Sequence, residues 1–166
     1  MLPLRLWRRW APRPAGVIPL KTVFVLNGPN LNLLGTREPA VYGAQTLADV
    51  EQLCREACER LNYQLVFRQS NHEGELVDWL HEAGRLHAQG SLAGVVFNAG
   101  AYTHTSVALH DATKGTGITL IELHISNVHA REAFRHHSYL APAARGVICG
   151  LGVVGYPLAI EALARI

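Results

Sequence analysis

An arginine and a tyrosine lie five residues apart in one polar loop, as Arg37 and Tyr42 of "LNGPNLNLLGTREPAVYG", residues 26–43. A phenol with an ordinary pKa near 10 is a poor base at neutral pH, but an adjacent guanidinium favours its phenolate form. Such a pair suits removal of a proton next to a carbonyl, while a histidine can protonate the oxygen that leaves. The alternative, that the two side chains only pack and pair at the surface, stays open.

Histidine is the second residue type that can do chemistry here, with nine copies, all after residue 71. Their spacing does not match a metal site, because no His-x-x-x-His accompanies a carboxylate. His104 and His124 stand apart, since each lies at the C-terminal mouth of the predicted sheet. A buried structural histidine remains the alternative at both positions. The candidates for acid–base and polar chemistry are Asn30, Arg37, Tyr42, Asn98, His104, His124 and Arg135.

Covalent catalysis is poorly supported by the sequence. No G-x-S-x-G elbow is present, and the only lysines are Lys21, in the N-terminal segment, and Lys114, at a predicted helix end. We therefore expect no Schiff base.

A glycine motif near the end, "GLGVVG" at residues 150–155, matches G-x-G-x-x-G. The dinucleotide mechanism also needs a second strand that ends in an acidic residue about 20 positions later. The chain ends eleven residues after Gly155. A tight turn and close helix packing are the favoured explanation.

Strand and helix patterns alternate along the chain, which is typical of βαβ units with a parallel sheet. The first predicted helix begins with a capping box of Thr46 and Asp49, and Ser70 with Glu73 resembles a cap for the second. The predicted strands cover residues 22–26, 63–69, 92–98, 117–124 and 145–149, and the predicted helices 46–62, 73–89, 103–114 and 153–166. We predict an α/β, flavodoxin-like three-layer αβα sandwich with a five-stranded parallel sheet.

Three polar loops follow strands one, three and four, so they emerge on one edge of the sheet. In the order 2-1-3-4-5 these strands are neighbours, with the topological switch point between one and three. The polar chemistry of the chain is therefore expected to converge there.

Composition fits one globular domain, with 166 residues, 49% of them hydrophobic and 17% charged. No apolar run approaches the roughly 20 residues of a transmembrane helix, so we expect no contact with a membrane. Five of the fifteen basic residues, and no acidic residue, lie in residues 1–21. Ten basic and thirteen acidic residues remain, so a nucleic-acid-binding surface is not expected on the domain.

Residues 1–21 are interpreted as a basic, Pro/Arg-rich N-terminal arm that is disordered, and residues 22–166 as a single catalytic domain. A targeting-like segment or an over-long start are alternatives for the arm. The three cysteines are odd in number and form no C-x-x-C, which favours a reducing cytoplasm.

Four motifs in order, "LNGPNLNLLGTREPAVYG", "RQSNHEGELVDWLHEA", "NAGAYTHTSVALHDA" and "IELHISNVHAREAFRHHSY", resemble the type II 3-dehydroquinate dehydratases from about residue 22 to the C-terminus. The resemblance implies dehydration of 3-dehydroquinate to 3-dehydroshikimate through an enolate, without a Schiff base, a metal or another cofactor. It also implies trimers that pack into a homododecamer. The reaction could serve aromatic biosynthesis, by the shikimate pathway, or quinate breakdown.

Carried over by motif, Tyr42 is the base that takes the C2 proton, Arg37 stabilises the phenolate and the enolate, and His124 is the acid that protonates the leaving C1 hydroxyl. The loop that holds Arg37 and Tyr42 is implied to be a lid. The resemblance also implies roles in binding the substrate. Asn30 holds a water at the enolate oxygen, the side chains of Asn98, His104 and Arg135 bind substrate hydroxyls, and the backbone amides of Ile125 and Ser126 bind the carboxylate. Two further residues are implied to support the site: Asp111 approaches the site of a neighbouring subunit, and Glu122 orients an imidazole.

Two other classes of function compete with this one. A flavin- or nucleotide-binding module would place its phosphate loop after strand one, but "NGPNLN" offers amides where Ser, Thr and Gly are needed. A structural or assembly protein is disfavoured because acid–base residues concentrate at one edge of the sheet.

Overall fold

Five parallel strands form the centre of the protein, in a computed structural model that describes residues 20–36 and 44–166. The strands are β1 Thr22–Asn27, β2 Gln64–Gln69, β3 Leu92–Asn98, β4 Leu120–His124 and β5 Gly146–Cys149. Their order in the sheet is β2-β1-β3-β4-β5, and every pair is parallel. The predicted strand order is confirmed, and the switch point lies between β1 and β3.

In the part of the chain that the structure describes, four α-helices cover both faces of this sheet. They are α1 Leu47–Arg60, α2 Glu73–Ala88, α3 Val107–Thr116 and α4 Gly155–Leu163. One core cluster joins the sheet to α1 and α4, and a second joins it to α2 and α3. Because β1 is buried on both faces, its successive side chains Val23, Phe24, Val25 and Leu26 are all apolar. The predicted three-layer αβα sandwich is confirmed.

Helix starts follow the predicted caps in one case and depart from them in another. The Thr46 side chain accepts a hydrogen bond from the backbone N–H of Asp49, whose carboxylate accepts one in return, so this capping box is confirmed. The Ser70–Glu73 cap is wrong. His72 is the N-cap of α2, and its backbone N–H donates to the Ser70 hydroxyl at 2.9 Å. Ser70 therefore shapes the turn before the helix.

Helix α3 begins four residues later than its periodicity predicts. Ser106 caps it by accepting a hydrogen bond from the Leu109 N–H at 3.0 Å. The preceding segment, Gly100–His104, is a short 3-10 turn that follows β3 directly. His104 thus stands at the carboxyl end of the sheet, ahead of α3.

The N-terminal arm predicted at residues 1–21 lies outside the described residues except for its last two, and it stays a prediction. Within the part of the chain that the structure describes, no helix combines the length and apolarity needed to cross a membrane.

Candidate active site

A cavity of about 130 Å³ opens at the carboxyl ends of β1, β3 and β4. This is the edge of the sheet where ligands of open α/β folds bind. Of the residues predicted for the site, the structure brings seven to the cavity wall: Asn30, Asn98, His104, His124, Ile125, Ser126 and Arg135.

The other predicted site residues lie elsewhere. Glu122 is fully buried behind His124. Asp111 is exposed on α3 and does not line the cavity. Arg37 and Tyr42 lie outside the described residues, so their predicted roles stay predictions.

His124 is held by a buried carboxylate. Its Nε2–H donates to Oε1 of Glu122 at 2.7 Å, and both residues lie in β4, two positions apart. Burial acts to raise the pKa of Glu122, but hydrogen bonds from His124, Thr103 and Ser138 outweigh it and lower that pKa. Glu122 is therefore a carboxylate that accepts from Nε2–H, which leaves Nδ1 as the nitrogen that His124 can offer to the cavity.

Two hydroxyls that the sequence analysis missed complete this network. Thr103 donates a hydrogen bond to Oε1 of Glu122. Ser138 donates to the same carboxylate, at 2.8 Å from Oε1, and accepts from the backbone N–H of Ala141 at 2.9 Å. No local pattern marks either residue, since serine and threonine are common in polar loops. Only tertiary structure brings them to Glu122.

His104 differs from His124 in which ring nitrogen carries the hydrogen. Its Nδ1–H donates to the backbone carbonyl of His137 at 2.7 Å, because a carbonyl can only accept. Burial, with further contributions from His124 and Arg135, lowers the pKa of His104 below its ordinary value of 6.5. Its ring stacks on that of His124 with centroids 6.3 Å apart. Neutral His104 therefore carries a lone pair on Nε2, which can accept a hydrogen bond.

Asn30 occupies a left-handed backbone conformation, with φ of 67°, at the turn after β1. Its backbone N–H donates to Oδ1 of Asn71 at 2.9 Å, and Gln69 donates to the same oxygen at 3.1 Å. Asparagine tolerates this conformation better than most residues. Asn71, which the sequence analysis did not single out, thus fixes the turn that carries Asn30.

The wall of the cavity carries positive charge. Arg131 and Arg135 both line it, and among the described lining residues none is acidic. Glu132, outside the wall, pairs with Arg135 at 2.8 Å. Arg131 was not predicted, although it lies in the same motif as Arg135. The arrangement suits an anionic ligand.

Within residues 20–36 and 44–166, no group of three or more His, Cys, Asp or Glu side chains is placed so that it could hold a metal ion.

The glycine motif near the C-terminus has a packing role. Gly150 and Gly152 have φ of 84° and 64°, which turns the chain after β5. A Cβ on Gly155 would lie 3.0 Å from a methyl group of Leu123, so the start of α4 rests against β4. These contacts agree with the tight-turn explanation.

Known proteins resemble this chain over most of its length. The family model "Dehydroquinase class II" matches residues 21–164. A 3-dehydroquinate dehydratase from Acidovorax sp. (strain JS42) is 78% identical, covering 87% of this chain and 98% of that protein. One from Ralstonia nicotianae, named 3-dehydroquinate dehydratase 2, is 68% identical, covering 87% and 94%. The crystal structure of the type II dehydroquinase from Butyrivibrio crossotus superposes with a TM-score of 0.82 at 42% identity, covering 87% of this chain and 97% of that one.

Proposed function

Because this chain belongs to the class II dehydroquinase family, it is a lyase that dehydrates 3-dehydroquinate to 3-dehydroshikimate in the shikimate pathway, and we propose that the cavity at the switch point is where it does so. The observation that carries the proposal is His124, backed by the Glu122 carboxylate, on the wall of a positively charged cavity. A flavin- or nucleotide-binding module has no comparable support.

The reaction proceeds in two steps. Tyr42, as phenolate, takes the proton from C2 of the substrate, and the electron pair moves into the C3 carbonyl to form an enolate. Arg37 stabilises both the phenolate and the developing enolate charge. His124 then protonates the C1 hydroxyl, the C1–O bond breaks, and water leaves as the carbonyl re-forms. Asn30 holds a water that donates a hydrogen bond to the enolate oxygen.

Substrate binding divides between the loops that line the cavity. Asn98, His104 and Arg135 bind the hydroxyls, and the backbone amides of Ile125 and Ser126 bind the carboxylate. The lone pair on Nε2 of His104 supports this assignment, because it can accept a hydrogen bond from a hydroxyl. The positive charge of Arg131 and Arg135 supports binding of an anion.

We further propose that the protein assembles as trimers within a homododecamer, with Asp111 close to a neighbouring subunit's site. Exposure of Asp111, and the exposed apolar side chains of Val107, Leu151 and Val154, are compatible with subunit contacts. A cytoplasmic location is supported by three free cysteines, two of them buried. We propose no nucleic-acid or membrane partner.

The decisive experiment separates the two proton transfers. Purified protein should convert 3-dehydroquinate to a conjugated product, followed by ultraviolet absorbance. Tyr42→Phe should lower kcat by about 10²–10⁴-fold and abolish exchange of the C2 proton with solvent, followed by NMR. His124→Ala should block water loss and keep that exchange, because it acts on the second step. Borohydride added with substrate should add no mass.

Tyr63→Phe is the matched control, because Tyr63 packs on the core just before β2, away from the cavity. It should match the wild type. Wild-type C2 exchange in Tyr42→Phe would show that Tyr42 is not the base, and a borohydride-trapped adduct would disprove the enolate mechanism.

A further inference from the structure

We propose that Tyr156 is a positioning residue, whose hydroxyl fixes the side-chain amide of Asn98 for the substrate. The proposal rests on the function assigned to Asn98 above. Tyr156 is completely buried in the first turn of α4 and does not line the cavity.

A chain of four hydrogen bonds runs under the switch point from β2 to the cavity. Asn27 Nδ2 donates to the carbonyl of Arg68 at 3.2 Å, and the Tyr156 hydroxyl donates to Oδ1 of Asn27 at 2.7 Å. Asn98 Nδ2 donates to the Tyr156 oxygen at 2.9 Å, and the backbone N–H of Gly100 donates to Oδ1 of Asn98 at 3.3 Å. The three side chains in this series of hydrogen bonds, Asn27, Tyr156 and Asn98, are all buried.

The direction of this chain is set at its two ends. A backbone carbonyl can only accept, so the amide nitrogen of Asn27 must face Arg68. A backbone N–H can only donate, so the amide oxygen of Asn98 must face Gly100. The Tyr156 hydroxyl, with one hydrogen, must therefore donate to Asn27 and accept from Asn98. Burial raises the pKa of Tyr156, so the hydroxyl keeps its hydrogen.

Asn98 consequently meets the substrate in one orientation. Its oxygen and nitrogen are each held by one partner, and one N–H and one lone pair remain for substrate hydroxyls. An amide held on both sides binds without losing further rotational freedom. The glycine motif also gains a role, because close packing of Gly155 on Leu123 seats the start of α4, and with it Tyr156, beneath β1 and β3.

Tyr156→Phe tests the proposal, because it keeps the ring and removes the hydroxyl. We expect KM for 3-dehydroquinate to rise by about two- to tenfold, the effect of one neutral hydrogen bond, while kcat stays within about twofold. In an Asn98→Ala background the same change should leave kcat/KM unaltered, since the residue it positions is gone. Unfolding by urea, measured in parallel, separates loss of stability from loss of binding.

Tyr63→Phe is the matched control, because Tyr63 packs on the same core cluster and its hydroxyl makes no hydrogen bond to any described residue. It should leave KM unchanged. If Tyr156→Phe does not fold, Asn27→Ala removes the acceptor on the far side of the hydroxyl and should raise KM in the same way.

Three outcomes would contradict the proposal. If Tyr156→Phe has the wild-type KM while Asn98→Ala has a lowered kcat/KM, the positioning role of Tyr156 is overturned and the binding role of Asn98 stands. Effects of Tyr156→Phe and Asn98→Ala that multiply overturn it as well, because independent residues behave so. Unaltered kcat/KM in Asn98→Ala overturns both this inference and the substrate-binding role of Asn98, but leaves the assigned reaction intact.

Discussion

His124 can serve the substrate through one nitrogen only, since Nε2–H is committed to Glu122 at 2.7 Å. The buried carboxylate of Glu122 fixes the orientation of the His124 ring, so that the same nitrogen always faces the cavity. Thr103 and Ser138 keep the carboxylate in place by donating to it as well.

Glu122→Gln should therefore impair the second proton transfer. An amide turns its NH2 toward at least one of the donors that converge on residue 122, and it carries no charge. We expect kcat to fall by about 10²-fold, the lower end for a positioned acid–base group, while exchange of the C2 proton survives. Steady-state assay and NMR exchange measure the two effects.

A purely structural role for Glu122 would lower exchange and turnover together. Glu161→Gln is the control, because the half-exposed Glu161 side chain pairs only with Arg60, at 3.1 Å, among the described residues, and the change should leave both rates unchanged. Wild-type kcat in Glu122→Gln would contradict the orienting role.

We expect His104 to set the acidic limit of substrate binding. Its pKa lies below 6.5, chiefly through burial, so above that pH it is neutral and Nε2 can accept from a hydroxyl. KM should be flat from about pH 8 to about pH 6.5 and rise as the pH falls further, when protonation removes the acceptor. The same shift makes folding less favourable as the pH falls from about 6.5 toward the lower folded pKa of His104, because the unfolded state takes up the proton first.

His104→Gln keeps an acceptor and a donor but does not titrate, so its KM should lack this acidic rise. KM measured against pH for both proteins provides the check. An identical rise in His104→Gln would assign it to another group.

At the scale of elements, the carboxyl ends of β1 and β3 approach so closely that only glycine fits at position 28. A Cβ there would lie 2.3 Å from the carbonyl oxygen of Ala99, which is backbone and cannot turn away. The N–H of Gly28 also donates to the carbonyl of Asn98 at 2.7 Å. This contact joins the turn that carries Asn30 to the strand end that carries Asn98.

Gly28→Ala should separate these two strand ends. We expect a loss of about 1–3 kcal/mol in the free energy of unfolding, as for overpacking, together with a higher KM. Urea unfolding and steady-state kinetics measure the two changes.

Gly74→Ala is the matched substitution, because Gly74 lies in the first turn of α2 with nothing within 4 Å of an added Cβ. It should gain about 0.5–1 kcal/mol from helix propensity and leave KM unaltered. Equal stability of the two variants would mean that β1 and β3 can separate without cost.

Elements were predictable from the sequence where one local signal sufficed. Strand β3 falls at residues 92–98 as predicted, because a short and almost continuously apolar run is typical of a parallel strand that is buried on both faces. The cap of α2 was mispredicted, since the Ser70 hydroxyl engages the His72 N–H before the helix begins. Side-chain chemistry of the turn outweighed the spacing pattern there.

The residues of the site likewise fall into two groups, those that the sequence predicts and those that only the tertiary structure brings there. His104 and His124 were predictable because one lies in the loop after β3 and the other at the end of β4, so sheet topology brings both to one edge. Ser138 lies 16 residues from Glu122 in sequence, and Tyr156 lies 58 from Asn98. Neither contact has a local signature, because each depends on how loops and helices pack on the finished sheet.

At the scale of the whole molecule, the surface leaves room for subunit contacts. The edge strand β5 is half exposed, and Val147, Leu151, Val154 and Leu158 each expose more than two-fifths of their surface. Exposed apolar side chains in this number are typical of association sites. Asp111 is exposed on α3 and does not line the cavity of its own chain, which fits the proposed role at a neighbouring subunit's site.

Asp111→Ala should thus impair a site on another subunit, and a mixing experiment can show it. Under the proposed mechanism, Tyr42→Phe subunits lack their own base but supply an intact Asp111, while Asp111→Ala subunits keep the base. If the two variants are inactive alone, random reassembly of an equal mixture should restore about a quarter of the sites, because the proposed site takes Tyr42 from one subunit and Asp111 from the next. We would measure activity after co-refolding, and light scattering would report whether the assembly contains a multiple of three chains.

Asp78→Ala is the control. It changes an exposed residue on α2 and should be fully active alone. Mixtures no more active than the average of the separate variants would show that each site is built from a single chain.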